Sequence, residues 1–247
     1  MKIFLAATHS CIPGYRYLLR DAKYVLESFF TVRQWQLGFI KKWDSFLLDS
    51  GAFSFMADPS KKVDFDSYME KYIDFINMHD ISHFFELDID SVVGIKKVEK
   101  MRQKLENKTG KRCIPVFHRS RGKQYWLDMV KEYDYVAIGG FAIRNIKPSE
   151  YKYIEWFLKT AQEANCKVHG LGFTSQKYLD KLPFYSVDSS SWTSGLRYGS
   201  VYQFINGKMT ATARKPNQAM VAKRRIYEQN LTAWIKMQNY YDREMIK

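Results

Sequence analysis

The sequence predicts an α/β protein folded as a single (β/α)8 TIM-type barrel spanning residues 1–247. Three observations predict it. Eight short apolar runs recur along the chain, and most are separated by segments with helical periodicity, the alternation that gives a parallel sheet with crossover connections. Nearly every run also ends downstream in polar or glycine residues: His9-Ser10, Asp49-Ser50-Gly51, Asp88 and Asp90, His118, Gly139-Gly140, His169-Gly170 and Asp188-Ser189. In a barrel those ends converge on one face, where active sites are built.

The first run is Lys2–Ala7, which is too short and too soon followed by His9, Ser10 and Pro13 to be a secretory leader. Tyr15 to Trp43 reads as a long helical region broken near Gly38. The next runs, Ser45–Asp49, His83–Asp88 and Cys113–His118, are separated by helical patterns at Phe65–Met78 and Ile95–Glu106. A further helical pattern, Tyr125–Glu132, precedes the run Tyr135–Gly139, and Ser149–Asn165 precedes Lys167–Leu171. Ser175–Lys181 then leads to Tyr185–Asp188, and Ser200–Ile205 is the eighth run. A basic amphipathic helix, about Asn217–Tyr241, closes the sequence. Without low-complexity stretches or a Pro/Gly-rich linker, the chain reads as one domain.

Hydrophobic residues at 46% suffice for a substantial core, and aromatics at 16% either fill it or offer flat faces to a planar ligand. No window approaches the ~20 apolar residues of a membrane helix. Cys11, Cys113 and Cys166 are odd in number and widely spaced, which argues against a disulfide scaffold or cysteine-rich zinc site and fits a reducing cytoplasm. Lys and Arg total 39 against 26 Asp and Glu, and the net charge of +13 calls for a polyanionic partner, nucleic acid first.

Six segments carry candidate chemistry. Asp49 in LLDSGAFSF and Asp188 in SVDSSSWTSGLRYG each follow an apolar strand. Either can cap its turn, but two carboxylates at barrel ends suit reaction at a sugar anomeric carbon, one as nucleophile and one as acid/base. In FFELDIDSV, strand alternation puts Glu86, Asp88 and Asp90 on one face. An ionised carboxylate accepts only, so it suits the adjacent N–H and NH2 donors of guanine; solvent-exposed acids and metal ligation are the alternatives. Gly139-Gly140 either makes a tight turn or lets a ligand approach backbone amides. His118 and His169 lie at strand ends, and no metal is assigned to them.

In order, DSGAF, FFELDID, CIPVFH, YVAIGGFA, HGLGFT and VDSSSWTSGLRYG resemble six segments of the tRNA-guanine transglycosylase family, from about Phe46 to Gly199. The resemblance implies Asp188 as nucleophile and Asp49 as general acid/base. It implies Asp88 as the guanine-edge acceptor, with His118, Gly139 and Gly140 as secondary contacts. It further implies Ser50, His169 and Arg197, in the matching segments, as substrate contacts, and Phe53, Phe141 or Trp192 as the ring that would cover the base. Three features depart from the family: Ala52 stands for a second glycine, His118 stands for a glutamine, and no cysteine follows Cys166 to build the family's zinc site. These features look more like the small phage enzymes that insert 7-deazaguanines into DNA. They imply DNA as substrate with tRNA as the alternative, a free 7-deazaguanine base as co-substrate, no cofactor, and a host-cytoplasm location.

The C-terminal segment carries Lys215, Lys223, Arg224 and Arg225 and reads as a phosphate-contacting element, or equally as the solvated face of a last barrel helix. Two other functions fit the same residues: an N-glycosylase, in which water resolves the Asp188 ester, and a non-catalytic nucleic-acid-binding barrel.

Overall fold

The computed structural model describes residues 1–51, 63–142, 145–173, 175–212 and 223–244, apart from the side chains of residues 196, 197, 223 and 244. Strands β1 (Lys2–Ala6), β2 (Tyr24–Ser28), β3 (Ser45–Asp49), β4 (Val116–Phe117), β5 (Tyr135–Ile138), β6 (Lys167–Gly170) and β7 (Ser186–Ser189) form a seven-stranded sheet in the order β3-β2-β1-β7-β6-β5-β4. Every pairing in it is parallel. Helices connect the strands: α1 (Gln34–Ile40), α2 (Phe65–Met78), the single turn α3 (Asp90–Val93), α4 (Ile95–Thr109), α5 (Gly122–Glu132), α6 (Ile154–Glu163) and α7 (Gln176–Leu179).

Between the edge strands β3 and β4 lie two parallel bridges, Leu48 to Phe84 and Phe85 to Ile114. Backbone bonds flank them: Phe85 N–H donates to Leu48 O at 2.9 Å, and Ile114 N–H donates to Phe84 O at 2.8 Å. The Tyr72 hydroxyl, on α2, lies 3.1 Å from Leu48 O and 3.0 Å from Phe85 O, stitching the same junction.

Period-two patterning sorts the strand residues into two packed layers. Phe4, Ala6, Tyr24, Leu26, Leu47, Phe85, Ile114, Val116 and Ala137 cluster on one face of the sheet. The alternating residues Ile3, Leu5, Val25, Leu48, Val136, Ile138 and Val187 join the helices in the larger core on the other. Burial on both faces explains why these strands read as continuous apolar runs.

Two expected elements change. Tyr15 to Trp43 is not mainly helical: a 3-10 helix at Pro13–Arg20 is followed by β2 and then the short α1. Ser200–Ile205 is no parallel strand of the sheet. Instead β8 (Val201–Ile205) pairs antiparallel with β9 (Lys208–Thr212). Their turn is Asn206-Gly207, with φ of 50° and 75°, the left-handed pair that a two-residue hairpin favours.

A short helix, α8 (Ser194–Tyr198), follows β7, and the final helix, α9 (Lys223–Glu244), packs along the sheet with Tyr227, Leu231, Trp234, Met237 and Tyr241 buried. Its Gln238 amide donates to Ile3 O at 2.7 Å and Tyr24 O at 2.8 Å, so it serves as a structural helix against β1 and β2. No described helix is long and apolar enough to cross a membrane, and all three cysteines are free and buried.

Candidate active site

Parallel pairing brings the carboxyl ends of the strands to one edge, and the predicted acids sit there. Asp49 ends β3, and the turn after it brings the Gly51 N–H to 3.0 Å from Asp49 Oδ2. Gly51 has φ +79°, and a Cβ on it would meet Phe30 Cβ and Ser28 Oγ at 2.7 Å, so the turn requires glycine. The Asp49 side chain keeps some access to solvent, yet it lies deep at the strand ends. Loss of hydration, reinforced by the negative charges of Asp188, Asp88 and Glu27, outweighs the Gly51 bond and pushes its carboxyl up to about 7. Ser50 is buried beside it, and its Oγ has no hydrogen-bond partner among the described residues.

Asp188 lies in β7, beside Phe4 of β1 in the pairing. Gly172 N–H donates to its Oδ1 at 2.7 Å, and His169 Nε2 lies 3.2 Å from the same oxygen. His169 is fully buried; its Nδ1 is 2.7 Å from Ser186 Oγ, which is in turn 2.5 Å from the Tyr135 hydroxyl. A neutral imidazole donates from one nitrogen and accepts at the other. The consistent assignment passes hydrogen bonds from Tyr135 to Ser186 to His169 to Asp188. His169 is therefore a positioning residue for Asp188, where the sequence suggested a substrate contact.

A second cluster lies across the same edge. His118 Nε2 is 2.7 Å from both oxygens of Asp88. Burial disfavours the charged imidazole, but the Asp88 bond and the charges of Asp88 and Asp90 together raise its pKa. Arg121, which the sequence reading passed over, holds this stripe of acids together. Its Nε donates to Asp90 at 2.9 Å, Nη1 to Glu86 at 3.0 Å, and Nη2 lies 3.7 Å from Asp88. Beneath it Glu86 is fully buried, accepting from Val116 N–H at 2.9 Å and facing Arg102 at 3.4 Å.

Asp88, Asp90, His118, Gly139 and Gly140 line a cavity of about 340 Å³ together with Asn145 and Ile146, within the range of small-ligand sites. A Cβ on Gly139 would meet His118 Cε1 at 2.6 Å, and Gly140 has φ +98°. Both glycines are therefore imposed, one by the imidazole and one by the backbone. Asp88, Asp90 and His118 offer ligand atoms within 4.8 Å of one another and are the described group that can hold a metal. Arg121 already supplies positive charge to both of those aspartates.

Other expected residues fall elsewhere. Trp192 is fully buried, its Nε1 donating to Ala6 O at 2.8 Å and its ring against Tyr227, so it packs the core and does not cover a ligand. Phe141 is likewise enclosed by Phe173, Tyr151 and Phe184. Phe53, Lys215 and the side chains of Arg197 and Lys223 lie outside the described residues. Arg224 and Arg225 are exposed in the first turn of α9.

A third polar cluster went unread in the sequence. Glu27, on β2, is 1% exposed and accepts from Thr8, His9 N–H and Gln36, with His9 Nδ1 at 2.8 Å. Burial opposes its charge, but the His9 and Gln36 bonds prevail and lower its pKa. It ties the loop after β1 to the one after β2.

No family model and no curated protein matches this sequence. Among solved structures, QR15, an aldolase, is similar with a TM-score of 0.49 at 11% identity, over 77% of this chain and 89% of that one. The carboxyl transferase domain of Rhizobium etli pyruvate carboxylase, with pyruvate, gives 0.45 at 12% identity over 97% of this chain. The present chain spans 48% of that second structure. Neither likeness carries an activity over to this protein.

Proposed function

We propose that the chain is a transglycosylase that exchanges guanine in nucleic acid for a 7-deazaguanine base, with DNA as the substrate before tRNA. The observation that carries this reading is the pairing of two aspartates with different surroundings at one end of the sheet. Asp49 has a carboxyl poised near neutrality, whereas Asp188 is oriented by an amide and an imidazole, both on Oδ1. A (β/α)8 barrel is the architecture proposed around them. The Leu48–Phe84 and Phe85–Ile114 bridges support it by linking the edge strands through an eighth parallel segment.

In this mechanism Asp188 attacks C1′ of the target nucleotide while Asp49 gives its proton to the departing guanine. The C1′–N bond breaks as a C1′–O ester forms. Asp49, now ionised, takes the ring N–H proton of the incoming base, whose nitrogen displaces Asp188 and restores the carboxylate. Two displacements retain the anomeric configuration, and the ester conserves the energy of the glycosidic bond. A catalytic group that both gives and takes a proton works best with a pKa near the working pH. The cavity beside Asp88 supplies an acceptor for the N–H and NH2 edge, and the Gly140 amide is the donor proposed for a carbonyl, because the Gly139 N–H is already given to Phe117 O at 3.0 Å.

The test is to incubate the protein with DNA or tRNA carrying labelled guanine, together with candidate 7-deazaguanines. Loss of label from DNA that depends on the added base supports the proposal. Release of guanine without incorporation would identify a hydrolytic glycosylase, and retention of label on both nucleic acids would reject base exchange.

A further inference from the structure

We propose that the surface beside the base cavity, built around Arg119, Lys123, Lys152, Tyr153 and Trp156, receives the nucleotides flanking the one that enters it. The proposal rests on the reading above that the partner is nucleic acid. A smaller hollow of about 110 Å³ adjoins the cavity, and Arg119 and Ile146 line both. Its lining is apolar, with Phe117, Ile138, Ile154 and Phe157, while Tyr153 and Glu150 complete it. Ile146 lines both hollows, and the 3-10 helix that follows it, Pro148–Tyr153, carries Glu150 and Tyr153 of the second.

Two large rings are left open here, with Tyr153 59% exposed and Trp156 38% exposed. A cation lies over one face of each. The Lys152 ammonium is 5.0 Å from the Tyr153 ring centre, and that of Lys123 is 5.2 Å from the Trp156 ring centre. Arg119 is 66% exposed at the boundary of the two hollows, braced by bonds of 3.2 Å to Asn145 O and to Glu150. A single strand needs faces on which bases stack and positive charge along which the backbone runs. This patch offers both, on the segments after β4 and β5 that border the cavity. A nucleotide turned into the cavity remains tethered on either side, so its neighbours must cross adjoining surface. The excess of Lys and Arg over Asp and Glu in the chain favours a polyanion there over an apolar protein partner.

The test measures anisotropy of a labelled ten-nucleotide single-stranded DNA containing one guanine, alongside equilibrium dialysis of free guanine. Replacing both rings (Tyr153→Ala with Trp156→Ala) is expected to weaken oligonucleotide binding by roughly 30-fold or more, the low end of what losing two stacked bases implies. The salt dependence and the affinity for free guanine stay unchanged, and Tyr153→Phe with Trp156→Phe restores binding. Lys123→Glu with Lys152→Glu flattens the salt slope instead. Wild-type affinity in the double alanine variant overturns the proposal, as does a wild-type protein that binds guanine but no oligonucleotide. Binding that depends on the rings without any base exchange leaves this surface standing and removes the transglycosylase reading.

Discussion

His169 Nε2 stands 3.2 Å from Oδ1 of Asp188, with the other ring nitrogen anchored 2.7 Å from Ser186 Oγ. Burial of this imidazole in a hydrogen-bonded chain fixes the carboxylate that the proposed reaction uses. Asp188→Asn is therefore expected to abolish base exchange and covalent trapping while leaving the circular dichroism spectrum unchanged. His169→Ala keeps the nucleophile but frees it. A displacement of about 1 Å is enough to cost around 100-fold in turnover, so kcat falls with little change in KM. An Asp188→Asn variant that exchanges at the wild-type rate would remove this residue from the chemistry.

Asp49 predicts a pH dependence of opposite sign to that of a paired carboxylate. Its folded pKa of about 7 lies above the unfolded value of 3.8, because burial and neighbouring negative charges disfavour ionisation. Its contribution to stability is thus fully present below about pH 4 and is lost as pH rises through 7. Asp49→Asn, which cannot ionise, should be the more stable protein at pH 8, by on the order of 2–4 kcal/mol, and should match wild type near pH 4. It should also be inactive in base exchange. Thermal melts of both proteins from pH 4 to 8 check the sign, and parallel curves would refute the assignment.

How far the sequence led is clearest where it failed. The helix Phe65–Met78 is read to its ends because Asp64 caps it, accepting from Asp66 and Ser67 N–H, and its apolar period is unbroken. β2 was hidden because Glu27, an acid held by Thr8 and His9 upstream and Gln36 downstream, interrupts an apolar run of only three residues. The hairpin after β7 was readable in principle: Asn206-Gly207 between alternating residues is a strong local signal, and the count of eight strands masked it. Asp49, Asp88 and Asp188 were legible as acids at strand ends. Arg121 was not, because nothing local marks an arginine whose three partners lie thirty or more residues upstream.

The cavity glycine gives a steric test. A Cβ on Gly139 would lie 2.6 Å from His118 Cε1, so Gly139→Ala forces the imidazole away from Asp88. Overpacking of this kind costs about 1–3 kcal/mol, and affinity for guanine should fall further than stability alone explains. Asp88→Ala should leave oligonucleotide binding intact while preference for guanine over adenine collapses, because the acceptor for the N–H and NH2 edge is gone. Calorimetric titration with the two bases reads both effects.

Metal removal should have no effect on base exchange. Asp88 and Asp90 already face the Arg121 guanidinium, at 3.7 and 2.9 Å, so part of their charge is neutralised without a metal ion. Dialysis against a strong chelator is expected to leave the melting temperature and the exchange rate unchanged. Loss of activity on chelation, restored by one equivalent of a divalent ion, would instead assign Asp88, Asp90 and His118 as ligands.

Salt dependence separates the two surfaces that carry positive charge. The net charge of +13 predicts that affinity for single strands falls with salt, with a log–log slope of about −0.7 for each phosphate neutralised. Arg224 and Arg225 are exposed in the first turn of α9, but the rest of that helix is held in the fold by Gln238 and a buried apolar face. Its first turn is therefore open to phosphate, and Lys236 and Arg243 are exposed farther along the same helix. Reversing both charges, Arg224→Glu with Arg225→Glu, should weaken binding uniformly across sequences, flatten the slope by one to two such contacts and leave base preference unchanged. Phosphate contacts position a strand and base-edge contacts specify it, so the preference stays with Asp88 and the paired glycines. An unchanged slope would show that α9 serves packing alone, leaving the strand to surfaces nearer the cavity.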